Sequence, residues 1–206
     1  MVIYLIGNEK KYPLNREEEL VRQGCSKYRK NLEYMLTSEK VPELEEMDRK
    51  CRRIMKKMDL HYTAFQRKDY ETVYQLWRDR IDRYSVKDML ESRIDQIEEK
   101  EECIIIRDKA GSIVGACVFE VNGVVGFSEN IATIESCNGI GIGGVLLTGS
   151  LLDIFSRGCK KDSMWVWENN VESRRMTERF AALTGKFSQQ MLLEKRTGDD
   201  GADVCI

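Results

Sequence analysis

The sequence has almost nothing from which to build a metal centre or a disulfide framework. Its 206 residues hold one histidine and seven cysteines that never fall in a Cys-x-x-Cys spacing. That removes multi-histidine and zinc-ribbon sites, and an odd, scattered set of thiols fits a reducing compartment. His61 is the sole imidazole available to a Ser/His/Asp triad. It stands beside Leu60 and Tyr62 at the head of a strand-like run, so a structural role is expected of it. No stretch approaches the ~18 consecutive apolar residues of a membrane-spanning helix, and the opening Met-Val-Ile-Tyr-Leu-Ile lacks a signal peptide's basic flank. A soluble, cytoplasmic protein with no membrane partner is expected. Lys+Arg 33 against Asp+Glu 35 gives a net charge of -2, which argues against a broad electrostatic hold on nucleic acid. With two prolines, 42% hydrophobic and 33% charged residues, the composition fits one globular domain with an appendage.

The appendage is read from residues 1–59 as an N-terminal helical extension. Asn15 and Glu18 make a capping box, after which Leu20, Cys25, Tyr28, Leu32 and Met35 recur near helical spacing. Past the breaker Pro42, Leu44, Met47, Cys51, Ile54 and Met58 predict a second helix. Its apolar stripe needs cover, over a cleft of the following domain or through a homodimer contact. The cluster Arg49, Lys50, Arg52, Arg53, Lys56 and Lys57 lies on that helix and reads as its solvated face.

From residue 60 the pattern is mixed α/β. Residues 61–65 read as a strand, and Asp69 as the cap of a helix through Tyr70, Val73, Leu76, Trp77, Ile81 and Tyr84. Ser85 and Asp88 mark a second cap before Met89, Leu90, Ile94 and Ile97. Three strands follow, over 103–106, 113–119 and 124–134. Asn122-Gly123 between the last two predicts a type I′ hairpin, so these strands form an antiparallel meander. After a glycine-rich loop come a helix through Val145, Leu151 and Phe155, a strand over 164–167, and a helix over about 171–183. A hairpin of 187–195 with 202–206 closes the chain.

The loop Asn138-Gly139-Ile140-Gly141-Ile142-Gly143-Gly144 joins a strand to a helix. Glycines let a backbone approach a phosphate, and the free amides and positive end of the helix favour an anion there. Gly139, Gly141 and Gly144 also satisfy Gly-x-Gly-x-x-Gly, with Glu168 ending the next strand. A dinucleotide fold does not suit them, because antiparallel hairpins precede the loop and too little chain follows to finish a doubly wound sheet.

At these residues the chain resembles the GNAT superfamily of acyl-CoA-dependent N-acyltransferases. The family's loop motif is Gln/Arg-x-x-Gly-x-Gly/Ala, and Asn138, Gly141 and Gly143 occupy its three positions, the first departing from the pattern. The resemblance spans residues 62–195, about two thirds of the chain. It implies an α/β fold with a mixed, mostly antiparallel sheet, flanked by helices and opened by a splayed central strand pair, here 124–134 and 164–167. The domain boundaries implied are 1–59 for the helical arm and 60–206 for the acyltransferase domain.

The resemblance further implies direct transfer of an acetyl group from acetyl-CoA to a small amine-bearing acceptor. Backbone groups of Ile131, Thr133 and Ile134 would pair with the pantetheine arm. Amides from Gly139, Ile140, Gly141, Ile142, Gly143, Gly144 and Val145 would hold the pyrophosphate, with Asn169 or Asn170 touching the arm from the far side. Glu129, placed by strand parity on the side of Ile131 and Thr133, is the candidate general base, with Glu135 as alternative. Seven residues after Asn170, where many members carry an acidic tyrosine, stands Thr177. Ser173, Thr177, a water or no acid at all remain open, which keeps a non-catalytic acyl-CoA-binding module as the rival. Trp165 and Trp167 read as one packed strand face, and Cys137 has no neighbouring base to activate it.

Overall fold

The computed structural model describes residues 2–8, 10–81 and 86–193, with side chains omitted for Val2 and 86–91. In chain order the elements are β1 (Val2–Asn8), α1 (Leu14–Arg22), β2 (Ser26–Thr37), α2 (Val41–Lys57), β3 (His61–Ala64), α3 (Tyr70–Arg80) and α4 (Val86–Glu99). They continue with β4 (Cys103–Arg107), β5 (Ile113–Asn122), β6 (Val125–Thr133), α5 (Ile142–Ser156), β7 (Lys161–Trp167), α6 (Val171–Thr177) and β8 (Ala182–Leu192). The strands make one eight-stranded sheet in the order β1-β8-β2-β7-β6-β5-β4-β3. Every neighbouring pair is antiparallel except β6 and β7.

The expected meander is present. The turn itself differs from the type I′ reading: Asn122 pairs with Val125, so the two central residues are Gly123 and Val124, and only Gly123 has a positive φ, 58°, the pattern of a type II′ turn with glycine at its first central position. Alternation then sorts the side chains. Ile105, Ala116, Val118 and Ala132 pack with Val73 and Trp77 of α3 and Ile97 of α4 on one face. Cys117, Ile106 and Val114 pack with Val145 and Leu146 of α5 and Cys51 and Met55 of α2 on the other.

The N-terminal segment differs from its helical reading. α1 ends at Arg22, and Cys25, Tyr28, Leu32 and Met35 lie in or beside strand β2, which sits between β7 and β8. Tyr28, Leu32 and Met35 satisfy a helical period by coincidence, while the β-branch-poor run 26–37 is drawn into the sheet by two flanking partners. Residues before 60 therefore share one sheet with those after it, so the division at 59/60 does not separate a helical arm from the domain. The apolar stripes of both N-terminal helices are covered within the chain: Leu20 packs with Leu5 and Met191, and Leu44 and Cys51 pack under α5.

Two other boundaries move. α6 stops at Thr177, and Ala182 and Leu183, expected in that helix, begin β8. Asp69 is not a simple N-cap. It accepts the Gln66 amide at 3.1 Å and pairs with Arg107 at 2.7 Å, tying the entry of α3 to β4. The caps at Ser85 and Asp88, Tyr84 and the strand over 202–206 fall on residues or side chains outside those described.

Gly126 of β6 carries the packing of α5. A Cβ there would lie 2.2 Å from Ile154 Cγ2 and 3.0 Å from an Asp162 carboxylate oxygen. Gly126→Ala is expected to lower stability by roughly 1–3 kcal/mol in urea titration, the usual cost of overpacking. An unchanged midpoint would mean that α5 can lift without penalty.

Candidate functional site

β6 and β7 pair in parallel at four positions, Val125 with Lys161 through Ser128 with Met164, and then stop. Both strands run on, β6 to Thr133 and β7 to Trp167. Beyond Ser128 the strands therefore part, leaving a gap whose edges carry peptide groups without a strand partner. An extended chain can pair with such edges.

At the end of the β6 lip, the backbone turns through residues 135–137 into the glycine loop. Gly139 and Gly141 have φ of 73° and 94°, left-handed values that favour glycine over residues with a side chain. Gly143 and Gly144 have ordinary φ, and a Cβ built at either meets nothing within 4 Å. Neither turn geometry nor internal packing demands glycine at 143 and 144; what their absent side chains leave is open space over the start of α5. The first ladder bond of α5 runs from Val145 N–H to Gly141 C=O at 3.1 Å. The amides of Ile142, Gly143 and Gly144 precede it and point out of the helix start. Residues 138–141 are exposed, so this cradle is accessible, and its donors and dipole suit a diphosphate.

α2 packs alongside, with Ile54 Cδ1 3.1 Å from the position of a Gly141 Cβ. α3 reaches the cradle from the other face. Arg80, its last residue, donates from its guanidinium to Asn138 Oδ1 at 2.9 Å. The next carbonyl, of Ile81, accepts from Arg29 of β2 at 2.9 Å, and Arg29 lies over the Trp167 ring at 4.7 Å. The end of α3 is thus tied to both lips of the gap.

Glu129 sits at the first unpaired position of β6, but not on the expected side. Cys117 pairs with Ile131 and Phe119 with Ser128, so Glu129 and Asn130 together face one residue of β5, a β-bulge that inverts the alternation. Ile131 packs toward α5, while Glu129 turns to the α3/α4 face. There it accepts two hydrogen bonds from Arg93 of α4, each 2.8 Å. Arg93 also lies 3.7 Å from Glu102 and 3.6 Å from Glu120. Burial pushes the Glu129 carboxyl above its ordinary value, and Arg93 opposes the shift without cancelling it.

The remaining predicted residues are dispersed. Glu135 is exposed at the loop entrance. Asn170 caps α6, its side-chain oxygen accepting Ser173 N–H at 3.0 Å, and Asn169 is exposed just before it. Ser173 is half-buried, whereas Thr177 is 3% exposed beneath α6. Tyr34 of β2 lies under the same helix, donating to Glu178 at 2.8 Å and accepting from Arg174 at 3.2 Å. Cys137 is buried, which raises its thiol and removes it from nucleophilic chemistry. His61 is exposed on the edge strand β3, away from the gap. A cavity of about 320 Å³ lined by Asp48, Arg52, Tyr62 and Asp153 lies against the middle of α5, apart from the cradle. Two of its carboxylates are paired, Asp48 with Arg52 at 2.6 Å and Asp153 with Arg157 at 2.8 Å.

Arg29, Arg80 and Arg93 were not legible as site residues. Each meets its partner across 36 to 58 positions of sequence, and no local spacing announces such a contact.

Residues 67–182, more than half of the chain, match the family model "Acetyltransferase (GNAT) family". The protein belongs to the GNAT acetyltransferase family. No curated protein matches the chain by sequence. Among solved structures, the fold is similar to a GCN5-related N-acetyltransferase from Sphaerobacter thermophilus, with a TM-score of 0.65 at 14% identity over 93% of this chain and 59% of that one. It is also similar to the GCN5-related glucosamine N-acetyltransferase region of a fungal multi-domain GH3 beta-N-acetylglucosaminidase, with a TM-score of 0.64 at 12% identity over 87% of this chain and 23% of that one. A GNAT-family acetyltransferase from Colwellia psychrerythraea gives 0.59 at 13% identity over 93% and 64%. The chain spans less than two thirds of the length of each, and at these identities the likeness is one of fold.

Proposed function

We propose that the protein transfers an acetyl group from acetyl-CoA to the primary amine of a small acceptor. The observation that carries this reading is the parting of β6 and β7 after Ser128 beside an open glycine cradle. The amides of Ile142, Gly143 and Gly144, with those of Gly139, Ile140, Gly141 and Val145 around them, hold the diphosphate. The free edge of β6 at Ile131, Thr133 and Ile134 pairs with the amide-bearing arm, and Asn169 and Asn170 border it from the β7 side. A β6 N–H directed at the thioester oxygen polarises the carbonyl. The acceptor nitrogen then bonds to the carbonyl carbon, the carbon–sulfur bond breaks, and the electron pair leaves on sulfur as thiolate. Two protons leave the acceptor nitrogen: the ammonium gives one to Glu129, which Arg93 holds at the head of the gap, before the nitrogen can attack, and the second departs to solvent or to the leaving sulfur as the tetrahedral adduct collapses.

No tyrosine stands on α6 and Thr177 is buried, so the thiolate leaves unprotonated or takes a proton by way of Ser173. A thiol of ordinary pKa near 8.5 permits the former. The same two facts support the second reading, a module that binds acyl-CoA without turning it over.

Calorimetric titration with acetyl-CoA tests the proposal. The wild-type protein binds, and Gly143→Glu, which fills open space and adds a negative charge, weakens binding at least about tenfold, or about 1.4 kcal/mol, with an unchanged unfolding midpoint. No binding by the folded wild-type protein would sink the acyl-CoA reading. Binding without thiol release across an amine panel would favour the non-catalytic one.

A further inference from the structure

The cradle carries no charge of its own, since the first position of the loop motif is the neutral Asn138. A diphosphate held by backbone amides alone would face dipoles but no cation. The structure brings one from another element. Arg80 closes α3 and donates to Asn138 Oδ1 at 2.9 Å, with both residues exposed at the rim of the cradle. Asn138 uses one of the five N–H donors that a guanidinium presents. The carbonyl end of α3 favours a cation at this place, so Arg80 is stable there before any anion arrives.

The entry of α3 is anchored by the Asp69–Arg107 ion pair at 2.7 Å, and its exit by Arg29 on the Ile81 carbonyl at 2.9 Å. The helix that carries Arg80 is therefore held at both ends. We propose that Arg80 is a ligand of the acyl donor's diphosphate, and that Asn138 positions it. The cation missing from the loop is supplied from α3, some sixty residues earlier in the chain. This rests on the acyl-CoA reading of the cradle. It also links the donor site to α3, because the same helix end is joined to Trp167 through Arg29.

The test is titration of wild type, Arg80→Gln, Arg80→Lys and Asn138→Ala with CoA and with dephospho-CoA, which keeps the diphosphate and lacks the 3′-phosphate. Arg80→Gln is expected to weaken both ligands about tenfold or more, and to flatten the salt dependence of binding by about one charge. Arg80→Lys restores part of the affinity. Asn138→Ala falls between wild type and Arg80→Gln. Unfolding midpoints stay unchanged, since both side chains are exposed. Equal affinity in wild type and Arg80→Gln would overturn the assignment, as would a loss seen with CoA but not with dephospho-CoA. If Gly143→Glu abolishes binding while Arg80→Gln does not, only the role of Arg80 fails. If wild type binds neither ligand, the acyl-CoA reading fails with it.

Discussion

Glu129→Gln is expected to lower kcat by roughly 10²- to 10⁴-fold, the span associated with removing a general base, and to leave the affinity for acetyl-CoA within about twofold of wild type. The geometry behind this result is the β-bulge that turns Glu129 away from α5 and onto Arg93 at the point where β6 and β7 part. A glutamine keeps the shape and one acceptor for Arg93, and Glu102 and Glu120 remain 3.7 and 3.6 Å from the guanidinium. The fold is therefore retained while proton acceptance is lost. Arg93→Gln supplies the reading that a purely structural ion pair would not give. Burial raises the Glu129 carboxyl and Arg93 lowers it, so removing Arg93 moves the acid limb of the kcat/KM profile to higher pH while the basic limb stays in place. Steady-state thiol release over pH 5 to 9 measures both. A Glu129→Gln enzyme with wild-type kcat, or an acid limb unmoved in Arg93→Gln, would assign the pair to stability alone and pass the base to Glu135 or to water.

The glycine loop, the Asn122-Gly123 hairpin and the helix through Trp77 were legible because each is a local signal: a φ requirement, a turn dipeptide, a 3.6-residue period. β2 was not. Tyr28, Leu32 and Met35 fit helical spacing, and their strand state comes from β7 and β8, which lie more than 120 residues downstream. The length of α6 failed for a related reason: Ala182 and Leu183 keep a helical composition but pair with Met35 and Tyr34 of β2. At the site, the backbone cradle could be read residue by residue, while the side of Glu129 could not. A single inserted residue in a strand reverses every facing beyond it, and nothing in Ser128-Glu129-Asn130 marks the insertion. The contacts of Arg80 with Asn138 and of Arg93 with Glu129 are likewise set by tertiary proximity.

Asp162→Asn is expected to raise stability at pH 8 by up to roughly 4 kcal/mol, and to flatten the dependence of stability on pH. Asp162 of β7 is fully buried beneath α5, and neither carboxyl oxygen has a hydrogen bond of ordinary geometry. Ser128 is the polar neighbour that favours the charged form, but burial outweighs it and lifts the carboxyl from 3.8 to about 7. Between those values the folded protein holds a proton that the unfolded chain has released. Wild-type stability therefore falls as pH rises through this window, and the full penalty is present above pH 7. A rise from 3.8 to about 7 corresponds to roughly 4 kcal/mol at 1.36 kcal/mol per pKa unit. Asparagine imitates the protonated acid at every pH, so the variant should match wild type near pH 4 and exceed it progressively toward pH 8. Urea titrations at pH 4.5, 6 and 8 measure the difference. Parallel stability curves for the two proteins would show that the carboxylate finds compensation when charged. The expected divergence would identify Asp162 as a charge the fold tolerates beneath α5 rather than one that holds it together.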